Sequence, residues 1–202
     1  MRIDTVKFVK TPLAERYQGK RLNSPNDAVY RSNGDLYFTD PPYGLRGLND
    51  SPVKELPFSG VYRVAADGTL SLLTDTLDYP NGVAFSPDEE TLYVAISRGP
   101  RSYWAAYDVR PDGGLANGRV FFHAAPLAGP GIRGSADGLA VDAFHDQQLG
   151  GGEAVEDPGR RDVFGVGIDG VEVGLVARFV AEIEFALHAL AHGLDDRGQV
   201  VG

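Results

Sequence analysis

The chain contains no cysteine among its 202 residues. That excludes disulfides, a thiolate nucleophile and cysteine-ligated zinc. Histidine is scarce: His123, His145, His188 and His192 are the whole set, so the first 122 residues hold no imidazole for a Ser-His-Asp triad. No run of about 18 apolar residues occurs, and no segment reads as membrane-spanning. Basic residues are few, 19 against 28 acidic, for a net charge of -9. Phosphate binding needs a basic patch, so nucleic acid is not an expected partner. Met1–Lys10 lacks the apolar centre of a signal peptide. The expected compartment is the cytoplasm, with the natural N-terminus expected to lie upstream.

What is present suits one globular domain with a real core: 43% hydrophobic and 23% charged residues. The informative stretch is Arg21-Leu22-Asn23-Ser24-Pro25-Asn26-Asp27. It leads into Ala28-Val29-Tyr30, an Asn33-Gly34-Asp35 turn, and Leu36-Tyr37-Phe38, which ends at Thr39-Asp40-Pro41-Pro42. Short apolar runs joined by Asn-Gly or Asp-Gly read as antiparallel strands. Val61–Val64, the Asp67-Gly68 turn and Leu70–Leu73 continue the series. Residues 1–20 read as one edge strand.

The unit then returns. Pro80-Asn81-Gly82-Val83-Ala84-Phe85 matches Pro25–Tyr30, Leu92-Tyr93-Val94 matches Leu36–Phe38, and Tyr107-Asp108-Val109 with Asp112-Gly113 matches Tyr62–Val64 with Asp67-Gly68. A third copy opens at Ala136-Asp137-Gly138-Leu139. Asn26, Asn81 and Asp137 follow one another at 55 and 56 residues. Four short strands per repeat of this length are the signature of β-propeller blades, each burying its faces against its neighbours. A β-sandwich with coincidental spacing is the alternative.

After Asp142 the pattern stops. Residues 143–162 are polar and glycine-rich. Residues 177–192 place Phe179, Ile183, Leu187 and Leu190 at helical spacing, while Glu182–Phe185 also alternates as a strand would. Gly165-Val166-Gly167-Ile168-Asp169-Gly170 matches a dinucleotide-binding glycine pattern without a surrounding βαβ unit. His188 and His192 lack the glutamate of a zinc-protease motif and read as surface residues. Tyr93, Tyr103, Trp104 and Tyr107 read as aromatics buried between blades.

The blade-initial residues Asn26, Asp27, Asn81 and Asp137 occupy equivalent places before each innermost strand. In a closed propeller such positions face one axis. Converging amide and carboxylate oxygens there suit a hard cation such as calcium or magnesium. The same residue types are also ordinary turn formers, and spacing alone leaves both readings open.

Four segments carry a resemblance: Gly19–Asp27, Tyr37–Leu45, Tyr79–Asp88 and Ala136–Asp142. Over roughly 60% of the chain, Lys20 to Asp142, it resembles the SMP-30/gluconolactonase/LRE-like family, and within it the bacterial gluconolactonases. The resemblance implies an all-β chain: a partial six-bladed propeller of two to three blades in residues 1–142, with an unassigned tail over 143–202. It implies metal-dependent hydrolysis of a sugar lactone, as in carbohydrate metabolism. Asn81, Asp137 and Asn26 fall on or near the family's metal site. Asp137 falls also on its general base, and Asn26 with Asp27 on its substrate contacts. One divalent metal is implied, calcium first, with magnesium or zinc as alternatives. The metal would polarise the lactone carbonyl and a carboxylate would deprotonate water.

Two departures stand beside it. The family's first-blade glutamate ligand has no counterpart; Glu15 and Glu55 lie in the wrong context. The sequence past Asp142 also does not follow the family. The expectation is therefore a fragment whose tail comes from a frame change or misjoined gene, possessing exposed blade edges suited to self-association. The alternative to an enzyme is a non-catalytic propeller-type binding or scaffold module.

Overall fold

The computed structural model describes residues 2–4, 9–124, 136–143, 162–168 and 171–176. Among them the chain is all-β, with two single 3-10 turns at Leu48–Asp50 and Gly99–Arg101. Two four-stranded antiparallel sheets dominate. The first is β5 (Ala28–Tyr30), β6 (Leu36–Asp40), β7 (Gly60–Val64) and β8 (Leu70–Thr74). The second is β9 (Pro80–Phe85), β10 (Thr91–Ile96), β11 (Tyr103–Val109) and β12 (Leu115–His123). Each runs in sequence order as a meander.

A third sheet orders β13 (Leu139–Ala143), β14 (Asp162–Ile168) and β15 (Val171–Val176). β14 and β15 are an antiparallel pair in which Gly165 opposes Gly174. This overturns the dinucleotide reading of Gly165–Gly170: a phosphate-binding glycine loop joins a strand to a helix, and Gly165 and Gly167 lie inside a strand. The helix-or-strand segment 177–192 falls outside the described residues.

The sequence repeats because the turns repeat. The β5–β6, β7–β8 and β11–β12 connections share one hydrogen-bond pattern, Gly34 N–H to Arg31 O, Gly68 to Ala65 and Gly113 to Arg110, at 2.8–2.9 Å. Each glycine has φ of 80–90°. The preceding Asn33, Asp67 or Asp112 accepts the N–H two residues on, at 2.8–3.0 Å. This is the Asx turn that makes Asn and Asp good turn residues. Asn33-Gly34 is thus part of a longer loop rather than a two-residue hairpin turn.

Residues 1–20 are not one strand. β1 (Arg2–Asp4) pairs with β2 (Val9–Thr11), and β3 (Arg16–Tyr17) with β4 (Lys20–Arg21). The second reversal follows from Gln18 and Gly19, both at positive φ, 49° and 79°, as a tight two-residue hairpin requires.

Side chains alternate along the central strands β6 and β10, and both faces find cover there. On β6, Tyr37 joins the core between the first two sheets with Val83, Phe85, Leu92 and Val94. Its neighbour Phe38 turns the other way, to Tyr62 and Leu22. On β10, Leu92, Val94 and Ile96 face the first sheet, while Tyr93 and Ala95 face Phe121 and Leu139 on the other side. The outer face of the first sheet is covered by the β3–β4 hairpin, with Tyr17 edge-on to Tyr62 at 5.4 Å. Sheets buried on both faces by successive neighbours make propeller blades, not the two facing sheets of a sandwich.

Candidate functional site

Two sequence segments are locked together to build the mouth of the first blade. Asp40 ends β6 fully buried. Its Oδ2 accepts the Asn23 N–H and its Oδ1 the Ser24 N–H, both at 2.8 Å. Asn23 answers with its own amide, donating to Asp40 O and Phe58 O. Gly44 N–H then donates to Ser24 Oγ at 2.9 Å. The Leu-Asn-Ser-Pro and Asp-Pro-Pro-Tyr-Gly segments are therefore one rigid structure, and Asn26-Asp27 projects from it. Burial pushes the Asp40 carboxyl up to about 6, against the two amide donors that favour its ionised form.

Asp27 braces the next blade. β9 is the first strand of its sheet, so alternate N–H groups point away from its partner. The Val83 N–H donates to Asp27 Oδ2 at 2.9 Å, and Ala28 N–H to Oδ1 at 2.9 Å. Thr39 Oγ1 donates to Asn81 O at 2.7 Å, a second tie between these blades. Asn26 is exposed and borders, with Leu13, Pro25 and Phe38, a cleft of about 210 Å³. A larger cleft of about 420 Å³ lies among the inner strands, between Asp27, Tyr30, Phe85 and Val141.

Asn81 and Asp137 are joined by a residue that sequence reasoning missed. Asn81 is buried, 7% exposed. Its Nδ2 donates to Ser97 Oγ at 2.8 Å, and Ser97 Oγ in turn donates to Ala136 O. Ala136 immediately precedes Asp137, whose side chain is exposed. Gly82 lies against the Asp137–Leu139 backbone so closely that no Cβ would fit. The second and third sheets therefore meet at these residues. No hydrogen bond joins Asn26 to Asn81 or Asp137 among the described residues.

Tyr43 and Tyr79 flank the same place. Their rings stack at 5.9 Å and 20°, and Tyr43 Oη donates to Tyr79 O at 3.1 Å. Burial raises the Tyr43 hydroxyl above the usual phenol range; the Ser97 hydroxyl opposes this and the Asp137 charge adds to it. Tyr79 has φ 58°, a strained backbone for a non-glycine residue, of the kind that clusters at functional sites. Tyr43 lies in the Tyr37–Leu45 segment that carries the family resemblance and could have been found there. Ser97 had no signal: its counterpart in the preceding repeat is Pro41.

A family model described as the SMP-30/gluconolactonase/LRE-like region matches residues 2–148. The chain belongs to this family. The gluconolactonase of Zymomonas mobilis is 39% identical over 145 residues, covering 70% of this chain and 40% of that protein. The lactonohydrolase oryL of Aspergillus oryzae is 27% identical over 164 residues, covering 70% and 37%. The solved structure of XC5397, a gluconolactonase from Xanthomonas campestris, superposes with a TM-score of 0.54 at 36% identity, covering 81% of this chain and 50% of that one. The chain thus spans half or less of the length of these relatives.

Family membership implies a metal, and the donor chemistry can be tested against it. The carboxylate of Asp137 and the amide oxygen of Asn81 are hard donors, suited to calcium or magnesium rather than to the nitrogen and sulfur preferred by zinc. Among the described residues no group of three or more His, Cys, Asp or Glu gathers. By donor type alone, Asn81 and Asp137 suit a hard cation.

Proposed function

We propose that this chain carries the metal-binding and substrate-facing part of a sugar-lactone hydrolase, within residues 1–142. The observation that supports this best is the continuous link from Asn81 through Ser97 to the Ala136–Asp137 peptide, at the start of two successive inner strands. Asn81 Oδ1 and the Asp137 carboxylate would hold calcium or magnesium. Bound there, the cation supplies a Lewis acid for the lactone carbonyl. Asp137, exposed at the site, takes the proton from attacking water. Asn26 offers its amide to the sugar hydroxyls. Asp27 holds β9 in place beside it and contacts substrate through the rim of its carboxylate.

The test is a calcium and magnesium titration followed by thermal unfolding, then hydrolysis of an aldonolactone in a pH-stat. A ligand that binds only the folded chain raises Tm. The expected result is a rise with calcium, lost in Asp137→Ala together with turnover. Turnover unchanged in Asp137→Ala would remove the assigned base. A second reading, a non-catalytic propeller-type binding module, is favoured by the lack of any group of three or more His, Cys, Asp or Glu among the described residues; a calcium response without turnover would select it.

A further inference from the structure

We propose that Ser97 is the positioning residue that fixes which end of the Asn81 amide is left for a cation and ties it to the Asp137 peptide.

An asparagine can present either oxygen or nitrogen, and only the oxygen can hold a cation. Ser97 decides between them by proton count. A hydroxyl has one proton. The structure sends that proton to Ala136 O, a carbonyl that can only accept, while the neighbouring Tyr43 hydroxyl gives its own proton to Tyr79 O. Ser97 Oγ can therefore only accept from Asn81, and the atom 2.8 Å away must be the NH2 end. Oδ1 is then the end of the amide that Ser97 does not hold. Reversing the amide would require Ser97 to donate to Oδ1 and would leave the Ala136 carbonyl without its donor. The polarity of the chain Asn81 to Ser97 to Ala136 is thus set from its far end.

Ser97 is itself held. Its N–H donates to Tyr79 O at 3.1 Å, the same carbonyl that accepts from Tyr43 Oη. The β9–β10 register shifts between Val94 and Ile96, just before Ser97. Such irregularities re-aim a side chain and are common beside active sites. Ala136 is 1% exposed, so the carbonyl that receives the hydroxyl proton has a buried anchor. One serine therefore sets both the amide of the second blade and the peptide that carries Asp137 in the third.

The part concerning a cation rests on the function proposed above; the part concerning amide orientation does not. The experiment uses the full chain with Ser97→Ala and Ser97→Thr. Two quantities are read: exchange of the Asn81 side-chain amide protons by 15N NMR without metal, and calcium affinity by isothermal titration. Ser97→Ala should speed amide exchange at least about tenfold and weaken calcium binding about 10- to 100-fold, the usual cost of losing a partner behind a ligand. Ser97→Thr, which keeps the hydroxyl, should restore both. Unchanged amide exchange in Ser97→Ala overturns the proposal, as does a loss that Ser97→Thr fails to restore, since that would be a packing effect. If the wild-type chain binds neither calcium nor magnesium, the metal reading falls while the amide measurement still decides the role of Ser97. Should Ser97→Ala not fold, Ser97→Cys keeps the volume with far weaker hydrogen bonds and replaces it.

Discussion

The Asp40 carboxylate accepts the Asn23 and Ser24 N–H groups at 2.8 Å each, and so one buried acid fixes the segment from which Asn26 and Asp27 project. Burial outweighs those two donors and raises the carboxyl from 3.8 to about 6. The folded protein then holds this proton more tightly than the unfolded chain does. Stability from Asp40 is fully present below the unfolded value of 3.8 and is lost as pH rises through about 6. The loss is on the order of 3 kcal/mol. Urea unfolding of wild type and Asp40→Asn across pH 4 to 7 isolates it. The stability difference, wild type minus variant, should fall with rising pH. A difference that rises would show that the amide donors dominate.

Asp27→Ala removes the acceptor for the Val83 N–H, a backbone group that faces away from its own sheet. An amide left without a partner costs about 1–3 kcal/mol. Urea unfolding should show a loss in that range, with or without metal. A variant as stable as wild type but unable to turn over lactone would reassign Asp27 wholly to substrate.

The blades were legible because turn chemistry is local. Asn33, Asp67 and Asp112 each accept the N–H two residues on, and that requirement writes the same residue pair into every repeat. Asn81 and Asp137 could be read for the same reason, as the first residues of successive repeats. Ser97 could not. Its role depends on β10 and Ala136 meeting across two blades, and its counterpart Pro41 has no hydroxyl. The N-terminal strands were misread because Gln18, not a usual turn residue, takes a positive φ beside Gly19. The β14–β15 hairpin was obscured because Gly165, Gly167 and Gly170 fall among its Val, Phe and Ile residues at the spacing of a dinucleotide-binding glycine loop.

Two buried tyrosines should respond oppositely to loss of their hydroxyls. Tyr37 Oη donates to Gly113 O at 2.8 Å across the blade interface. Tyr62 Oη is buried with no hydrogen-bond partner among the described residues. Tyr37→Phe should cost about 1–2 kcal/mol by leaving a carbonyl unpaired, and Tyr62→Phe should be neutral or slightly stabilising. Thermal unfolding of the two variants side by side checks this. Equal losses would mean that the Tyr62 hydroxyl has a partner in solution.

Gly82 and Gly138 occupy equivalent places in successive repeats, yet only one should tolerate a methyl group. A Cβ on Gly82 would fall on the Asp137 carbonyl oxygen and lie 2.8 Å from Leu139 N, both backbone atoms that cannot rotate aside. Gly138 has nothing within 4 Å of such a carbon. Gly82→Ala must therefore push the third sheet away from the second. That overpacking should cost at least about 2 kcal/mol, and it should separate Asn81 from Asp137. Gly138→Ala should stay within about 1 kcal/mol of wild type. If Asn81 and Asp137 act together on one cation, the calcium-induced rise in Tm should disappear in Gly82→Ala and persist in Gly138→Ala. A calcium response that survives Gly82→Ala would place the cation on Asp137 without Asn81, because the close approach of Gly82 to the Asp137–Leu139 backbone is what sets the two strands side by side.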